Sequence, residues 1–432
     1  MTQLDEMAAA TSAARPVDGA DGAGGAHGAD GGDKPSRYAK KAVFASSLGY
    51  AMDGFDLLIL SFALSAISAD LGLDKAQGGS LATITLIGAV VGGLVFGMLA
   101  DRIGRVKVLT YSVIFFAVFT GLSALATSYG ELSAFRFLAG VGIGGEFGIG
   151  MTLAAEAWPS KKRARATSLV ALGFQAGVLA AALISAPVLA AWGWQGLFVI
   201  GAVPAVVAIA LRSRLHEPEH FTRTRSEAAR LSTLASLKLL VKDGPTARAS
   251  VGVLVLTSVQ NFGYYGIMTW LPTYLSERFG YSLTKSSGWT AVTVVGMALG
   301  IFLFGELADR LGRRRAFWLF QVGAAVSVLA YSQLVSPWAL LVGGAVMGLF
   351  ANGMTGGYGA LMAELYPTQV RATAQNTLFN LGRAVGGFAP VVVALCADRW
   401  GFAVAIGLLS AIYVADILAM FVIPERKGAR LA

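Results

Sequence analysis

Two carboxylates interrupt the apolar run YAMDGFDLLILSFAL, residues 50–64. Asp53 and Asp56 stand three residues apart, so a helix would place them on one face. An ionised Asp at the centre of a membrane-spanning helix costs about 2.5–3.5 kcal/mol. Two neighbouring carboxylates cannot both ionise cheaply in a low dielectric, so at least one is expected to take up a proton. Groups that are neutralised and recharged in turn are what proton carriage requires. Arg136 and Glu146 lie in another apolar run, ten residues or about 15 Å apart along a helix. They are too distant to pair with each other, so each needs a partner elsewhere. Asp53, Asp56, Glu146 and Arg136 are therefore the predicted proton-coupling set. The structural alternative is a standing salt bridge of Asp53 or Glu146 with Arg136.

A different chemistry is written near the C-terminus. Asn376, Asn380 and Arg383 recur at i, i+4 and i+7, one helical face. The planar guanidinium fork of Arg383 suits a carboxylate. Gln260, Asn261, Tyr264 and Tyr265 form a polar and aromatic stripe. With Tyr358, those tyrosines could sandwich an organic body, although ordinary helix packing explains the aromatics equally well. These eight residues are the predicted substrate-binding set.

Other motifs have simpler readings. GVGIGG, residues 140–145, lacks the strand and βαβ unit that a nucleotide loop needs, and Gly140, Gly144 and Gly148 are spaced for close helix contact. HEPEH, residues 216–220, formally matches a zinc motif. Pro218 would break the helix that must bring its histidines to one face, and no third ligand is evident. A single cysteine, Cys396, excludes an internal disulfide framework. No metal site, cofactor or nucleophile–base constellation is expected, so an enzyme is disfavoured.

The elements that hold these residues follow from composition. Of 432 residues, 55% are hydrophobic and 14% charged, and 54 are glycine; a soluble domain carries about 25% charge. Mean hydropathy is +0.64. The chain reads as an all-α polytopic membrane protein with spans near 42–68, 80–100, 107–127, 131–156, 167–191, 195–212, 249–276, 287–308, 316–335, 338–363, 373–397 and 402–423, each about as long as a bilayer core demands. The net charge of +9 is then a topology signal rather than a nucleic-acid signal. One loop face holds nearly all of the Lys and Arg, whereas the other has only Lys75, Arg278, Lys285 and Arg399. The positive-inside rule predicts that both termini are cytoplasmic. Residues 1–36 are rich in Ala, Gly and Asp, contain no signal-peptide core, and are expected to be disordered. Asp416, in the last span, is read as peripheral.

The chain also repeats itself. GMLADRIGRVK (97–107) recurs as GELADRLGRRR (305–315), and EAWPSKKRARA (156–166) as ELYPTQVRATA (364–374). AWGW (191–194) is echoed by RWGF (399–402), and DLGL (70–73) by RFGY (278–281). Each pair stands 208 residues apart, as 305 does from 97. Two six-helix bundles, 37–212 and 249–425, are predicted, joined by a basic linker at 213–248 and followed by a short tail at 426–432. At this offset Asp53 falls on Asn261 and Asp56 on Tyr264, neutral groups in place of titratable ones.

Two six-helix halves with GxLADRxGR after the second span of each resemble the major facilitator superfamily, over about residues 40–425. DGFD in the first span, RFLAGVGIGGE (136–146) in the fourth and NLGRAVGG in the eleventh resemble its metabolite:proton and aromatic-acid:proton symporters. The resemblance implies two pseudo-symmetric bundles with substrate between them near the midplane. It also implies a gate on the cytoplasmic side, formed by Asp101, Arg102, Gly104 and Arg105 and by Asp309, Arg310, Gly312 and Arg313. Glu306 departs from the usual small or apolar residue, which weakens the case for the second copy.

The expected function is proton-coupled uptake of an organic acid, aromatic or small, by alternating access in a bacterial cytoplasmic membrane. The proton is the coupling ion, the bilayer and a small acid are the partners, and no obligate protein partner is inferred. Two alternatives stay open. A drug:proton exporter typically shows a GP pair in its fifth helix, absent from GFQAGVLAAALISAP (173–187). A transporter-like sensor would need a signalling domain after the last span. Benzoate-like acids, short aliphatic carboxylates and acidic sugars all fit the substrate reading.

Overall fold

Long apolar runs opened by hydrogen-bonding caps become helices. The computed structural model describes residues 34–203, 205, 206, 210, 215, 217, 233–281 and 283–429, and every regular element among them is helical. The first half holds α1 (Arg37–Leu71), α2 (Lys75–Ile103), α3 (Arg105–Ser123), α4 (Tyr129–Ala157) and α5 (Arg163–Ala202). A short α6 (Thr233–Leu239) precedes the second half: α7 (Gly244–Phe279), α8 (Leu283–Leu311), α9 (Arg313–Gln333), α10 (Pro337–Gly353), α11 (Thr355–Leu365), α12 (Arg371–Gly386), α13 (Ala389–Trp400) and α14 (Phe402–Ala419). Side chains of Ser36, Asp74, Ser128, Asp243 and Ser336 accept from the first-turn N–H groups of α1, α2, α4, α7 and α10, satisfying donors that each helix start leaves over.

Among the described residues, ten helical stretches are long and apolar enough to cross a membrane. The fifth predicted span and the start of the sixth run together as α5 and part only at Gly193, the rest of the sixth lying largely outside the described residues, while α7, 36 residues long, supplies the seventh. Most helices overrun the predicted spans, because their caps lie beyond the apolar segment. The tenth span breaks at Met354 into α10 and α11. The eleventh breaks before α13, where Pro390 lacks the N–H and crowds the carbonyl a turn earlier. The linker read over 213–248 contains α6 and the start of α7. The N-terminal stretch predicted to be disordered lies almost wholly outside the described residues.

The repeat is built into the backbone. Gly72 and Gly280 end α1 and α7 with φ of 64° and 65°. Gly104 and Gly312 turn α2 into α3 and α8 into α9 with φ of 131° and 101°. Gly193 and Gly401 make the hairpins before the sixth and twelfth spans with φ of 64° and 83°. All six hold backbone conformations that a Cβ disfavours, and they pair at the 208-residue offset.

Within the halves, α1 packs on α5 and α2 on α4, as α7 packs on α12 and α8 on α10. Between them, α12 lies on α2 and α4, and α5 lies on α8 and α11. Close approach depends on glycine, as expected of GVGIGG: a Cβ at Gly140 or Gly144 would strike the α2 backbone at Thr85 or Ala89, and one at Gly148 would strike Asn376 of α12. Asp416 is not peripheral. It is fully buried in α14, its carbonyl accepting from Gln321 Nε2 of α9 at 3.3 Å.

Candidate functional site

Between the halves lies a cavity lined by Tyr50 of α1, Phe174 and Gln175 of α5, and Gln260, Asn261, Tyr264 and Tyr265 of α7. Asn352, Thr355, Phe379 and Arg383 complete the second-half wall. It is contracted to about 20 Å³, room for about one water, so an organic ligand must part its walls. Phe147 of α4 stacks on Phe379 of α12 across the halves, centroids 3.4 Å apart, and Tyr50 sits against Phe147 and Phe174.

The four residues expected to handle protons separate into different environments. Arg383 donates one N–H to Asp53 Oδ2 at 2.9 Å, a bridge between the two halves buried on both sides. Its Nε donates to the Tyr265 hydroxyl at 3.3 Å. The other Asp53 oxygen, Oδ1, and the second terminal nitrogen of Arg383 have no partner. Asp56, by contrast, is held at both oxygens by Arg136 within the first half, with Oδ1 taking one N–H at 3.0 Å and the Thr120 hydroxyl at 3.3 Å. Arg136 also lies over the Phe198 ring, 5.4 Å from its centroid. The salt bridge considered for Arg136 therefore exists, but its carboxylate is Asp56 rather than Asp53 or Glu146. Glu146 accepts from the Ser112 hydroxyl at 2.7 Å, between α3 and α4.

Of the eight predicted substrate residues, the structure brings Arg383, Gln260, Asn261, Tyr264 and Tyr265 to the cavity. It does not bring Asn376, Asn380 or Tyr358. Asn376 Oδ1 accepts from Gly148 N–H at 2.6 Å, and Asn380 Nδ2 donates to the Gly144 carbonyl at 2.9 Å. These two amides bracket the glycine-rich turn of α4 because the missing side chains there expose its backbone to α12. Tyr358 is fully buried, donates to the Leu256 carbonyl at 3.0 Å, and packs among second-half helices. The sequence reading missed Tyr50, Phe174, Gln175, Asn352, Thr355 and Phe379. The repeat contained a signal for one of them, since Gln175 occupies in the first half the position of Arg383 in the second.

At the basic loop face the halves are joined twice, by pseudo-symmetric ion clusters. Asp101 accepts from the N–H groups of Ala372 and Thr373 at 3.1 and 2.7 Å and from the Thr373 hydroxyl at 2.7 Å, so it caps α12 of the opposite half. Asp309 does the same for α5, at the N–H groups of Ala164 and Arg165, 3.1 and 3.0 Å away. Each aspartate also meets the arginine one turn on, Arg105 at 3.1 Å and Arg313 at 2.8 Å. Glu156 pairs with Arg371 at 2.6 Å, and Arg163 with Glu364 at 2.9 Å, both across the halves. These four were overlooked as site residues, although a Glu seven residues before an Arg stands in both quoted repeats. Gly104 and Gly312 form the bends, and Arg102 and Arg310 lie toward the surface.

Glu306 reverses the expectation attached to it. It pairs with Arg165 of the other half and with Arg310 at 3.6 Å, adding a cross-half contact to the second copy. Within HEPEH only Glu217 is among the described residues; it accepts from the N–H groups of Arg105, Val106 and Lys107, capping α3. Glu425, 208 residues on, does likewise at Arg313 and Arg314. Among the described residues no group of three or more metal-ligating side chains forms.

The sequence pattern of the Major Facilitator Superfamily matches residues 46–294 and 286–432. The chain belongs to the Major Facilitator Superfamily. A protein of Haemophilus influenzae named for metabolite transport is 59% identical over 403 residues, covering 92% of this chain and 99% of that protein. The cis,cis-muconate transport protein of Acinetobacter baylyi is 28% identical over 393 residues, with 90% and 95% covered. The proton:xylose symporter XylE superposes with a TM-score of 0.78 at 18% identity, covering 92% of this chain and 98% of that one. This Major Facilitator protein is a membrane transporter of metabolites, not an enzyme, and its halves are the two bundles of that fold.

Proposed function

We propose that the chain takes up an organic acid anion together with a proton, and that the exchangeable Asp53–Arg383 pair couples the two. The observation that carries this reading is a buried ion pair that spans the halves, has its arginine in the wall of the cavity between them, and leaves one oxygen and one nitrogen unpartnered. Ionised Asp53 occupies Arg383 and competes with an incoming carboxylate. A proton on Asp53 releases Arg383, and a buried cation without an anion is unfavourable by about 3–5 kcal/mol. The substrate carboxylate supplies the missing charge, so proton and acid load together.

Asp56 and Arg136 then serve as a fixed strut of the first half rather than as carriers. The basic-face clusters act as the gate. In the present arrangement they hold that side shut, with Asp101 and Asp309 each pinning a helix of the opposite half. Concentration of Lys and Arg on that face favours a cytoplasmic orientation, in a bacterial cytoplasmic membrane. Muconate, named in one relative, is itself a carboxylate, which supports the acid reading. No cofactor or protein partner is required by this cycle.

The test uses proteoliposomes and an acid found by thermal-shift screening of carboxylates. Asp53→Asn should abolish accumulation driven by an imposed pH gradient while sparing exchange at equal pH. Full gradient-driven accumulation by that variant would remove Asp53 from the coupling step.

A further inference from the structure

Unsatisfied polar atoms on residues that line the cavity bear on the far end of the substrate. At one end stands Arg383, its free nitrogen matched to an anion. The other end is set by Gln260. Its Nε2 donates to the Ala351 carbonyl at 3.1 Å and to Asn352 Oδ1 at 2.8 Å. A backbone carbonyl accepts only a donor, so the amide orientation is fixed and Oε1 is the atom left over. That oxygen is buried and has no partner. Gln175, from the opposite half, lines the same cavity; its Nε2 touches only the Met297 sulfur, at 4.0 Å, and its Oε1 is likewise unpartnered. Neither oxygen can be matched by a carboxylate, an ether or an unprotonated pyridine-type nitrogen, all of which are acceptors.

We propose that the transported acid carries a hydrogen-bond donor, a hydroxyl or an N–H, remote from its carboxylate, and that Gln260 Oε1, with Gln175 from the other half, reads it. This rests on the acid reading above and narrows it. Tyr265 marks the Arg383 end of α7 and Gln260 precedes it by five residues, about 7.5 Å along the axis. That span is comparable with a ring acid bearing a para substituent or with a hydroxy acid of several carbons. Phe174 and Tyr264, ring centroids 6.0 Å apart, and Tyr50 provide apolar walls between the two ends. A buried acceptor left empty penalises a ligand that lacks the donor, which makes Gln260 a specificity-determining residue.

Matched acids test this on the purified, full-length protein, read as ligand-induced thermal stabilisation and converted to affinity. The pairs are 4-hydroxybenzoate against benzoate and 4-methoxybenzoate, and 6-hydroxyhexanoate against hexanoate. The donor-bearing member of at least one pair should bind about three- to tenfold more tightly, the range for one neutral hydrogen bond. Gln260→Met should bring the two members of the pair within twofold of each other; Gln175→Met should narrow the gap. Equal binding within both pairs in the wild-type protein overturns the proposal and leaves the acid reading standing, and that comparison needs no variant to fold. A preference that survives in a folded Gln260→Met protein also overturns it. If the only acids that bind lack a donor remote from the carboxylate, this proposal fails and the acid reading stands; if neutral compounds bind and no acid does, both fail.

Discussion

Asp101→Asn probes the proposed gate with a change of a single heavy atom. Asp101 accepts two backbone N–H groups and a hydroxyl from α12, at 3.1, 2.7 and 2.7 Å, and lies 3.1 Å from Arg105, all in a buried setting. An Asn keeps one oxygen and turns an NH₂ group toward donors. At least one buried N–H then loses its acceptor, and Arg105 loses part of its counter-charge. Removing one partner of a buried pair costs about 3–5 kcal/mol; the lower figure applies here because Glu156 also faces Arg105, at 3.3 Å. About 3 kcal/mol shifts the balance between closed and open basic face by roughly a hundredfold toward open. Spin labels at Lys107 and Arg315, exposed equivalents on opposite halves, in a Cys396→Ser background, would report it by pulsed electron resonance. The wild-type chain should give one short distance. The variant should add a longer population and transport more slowly, with substrate affinity within a few-fold. An unchanged distance distribution in folded Asp101→Asn protein would refute the assignment of Asp101 to the gate.

Three further outcomes follow from the same contacts. Arg383→Lys keeps the charge but loses the fork, so acid binding measured by calorimetry in detergent should weaken by about 1.5–3 kcal/mol, the range for a charged hydrogen bond; unchanged binding would make Arg383 structural. Arg136→Gln strands Asp56 in the first half and should lower thermal stability by the equivalent of about 3–5 kcal/mol, without altering the number of protons moved per substrate in whatever protein folds. Glu306→Gln removes a partly exposed cross-half pair worth at most about 1 kcal/mol, so it should open the basic face only slightly in the same spin-label experiment, well short of Asp101→Asn.

Much of the architecture was legible because it depends on local pattern. Apolar length fixes the spans, and the 208-residue repeat locates the bends; the glycines at 104 and 312 sit where the motif GxLADRxGR needs a conformation that a Cβ resists. The chemistry was legible by type but not by partner. Periodicity put Asn376 and Asn380 on the face of Arg383, yet their amides go to Gly144 and Gly148, because only the packed α4 reveals an accessible backbone there. Asp53 and Asp56 look equivalent at a spacing of three. One turns across the interface to Arg383 and the other inward to Arg136, and that choice is made by helices far away in sequence. Glu156, Arg163, Glu364 and Arg371 were visible in the repeats as letters. Their meaning as cross-half pairs depends on where the two bundles meet.

The pH dependence of acid affinity, in wild-type and Asp53→Asn protein, tests the coupling claim most directly. Lowering pH protonates Asp53 and frees Arg383, so wild-type affinity should rise as pH falls. Where Asp53 is ionised in the free protein and protonated in the complex, and the acid itself stays ionised, the rise should be about tenfold per pH unit, the signature of one linked proton. Asp53→Asn should bind at every pH as tightly as the wild type does at the acidic end, with a flat profile. A variant that retains the wild-type slope would contradict the assignment of the coupled proton to Asp53.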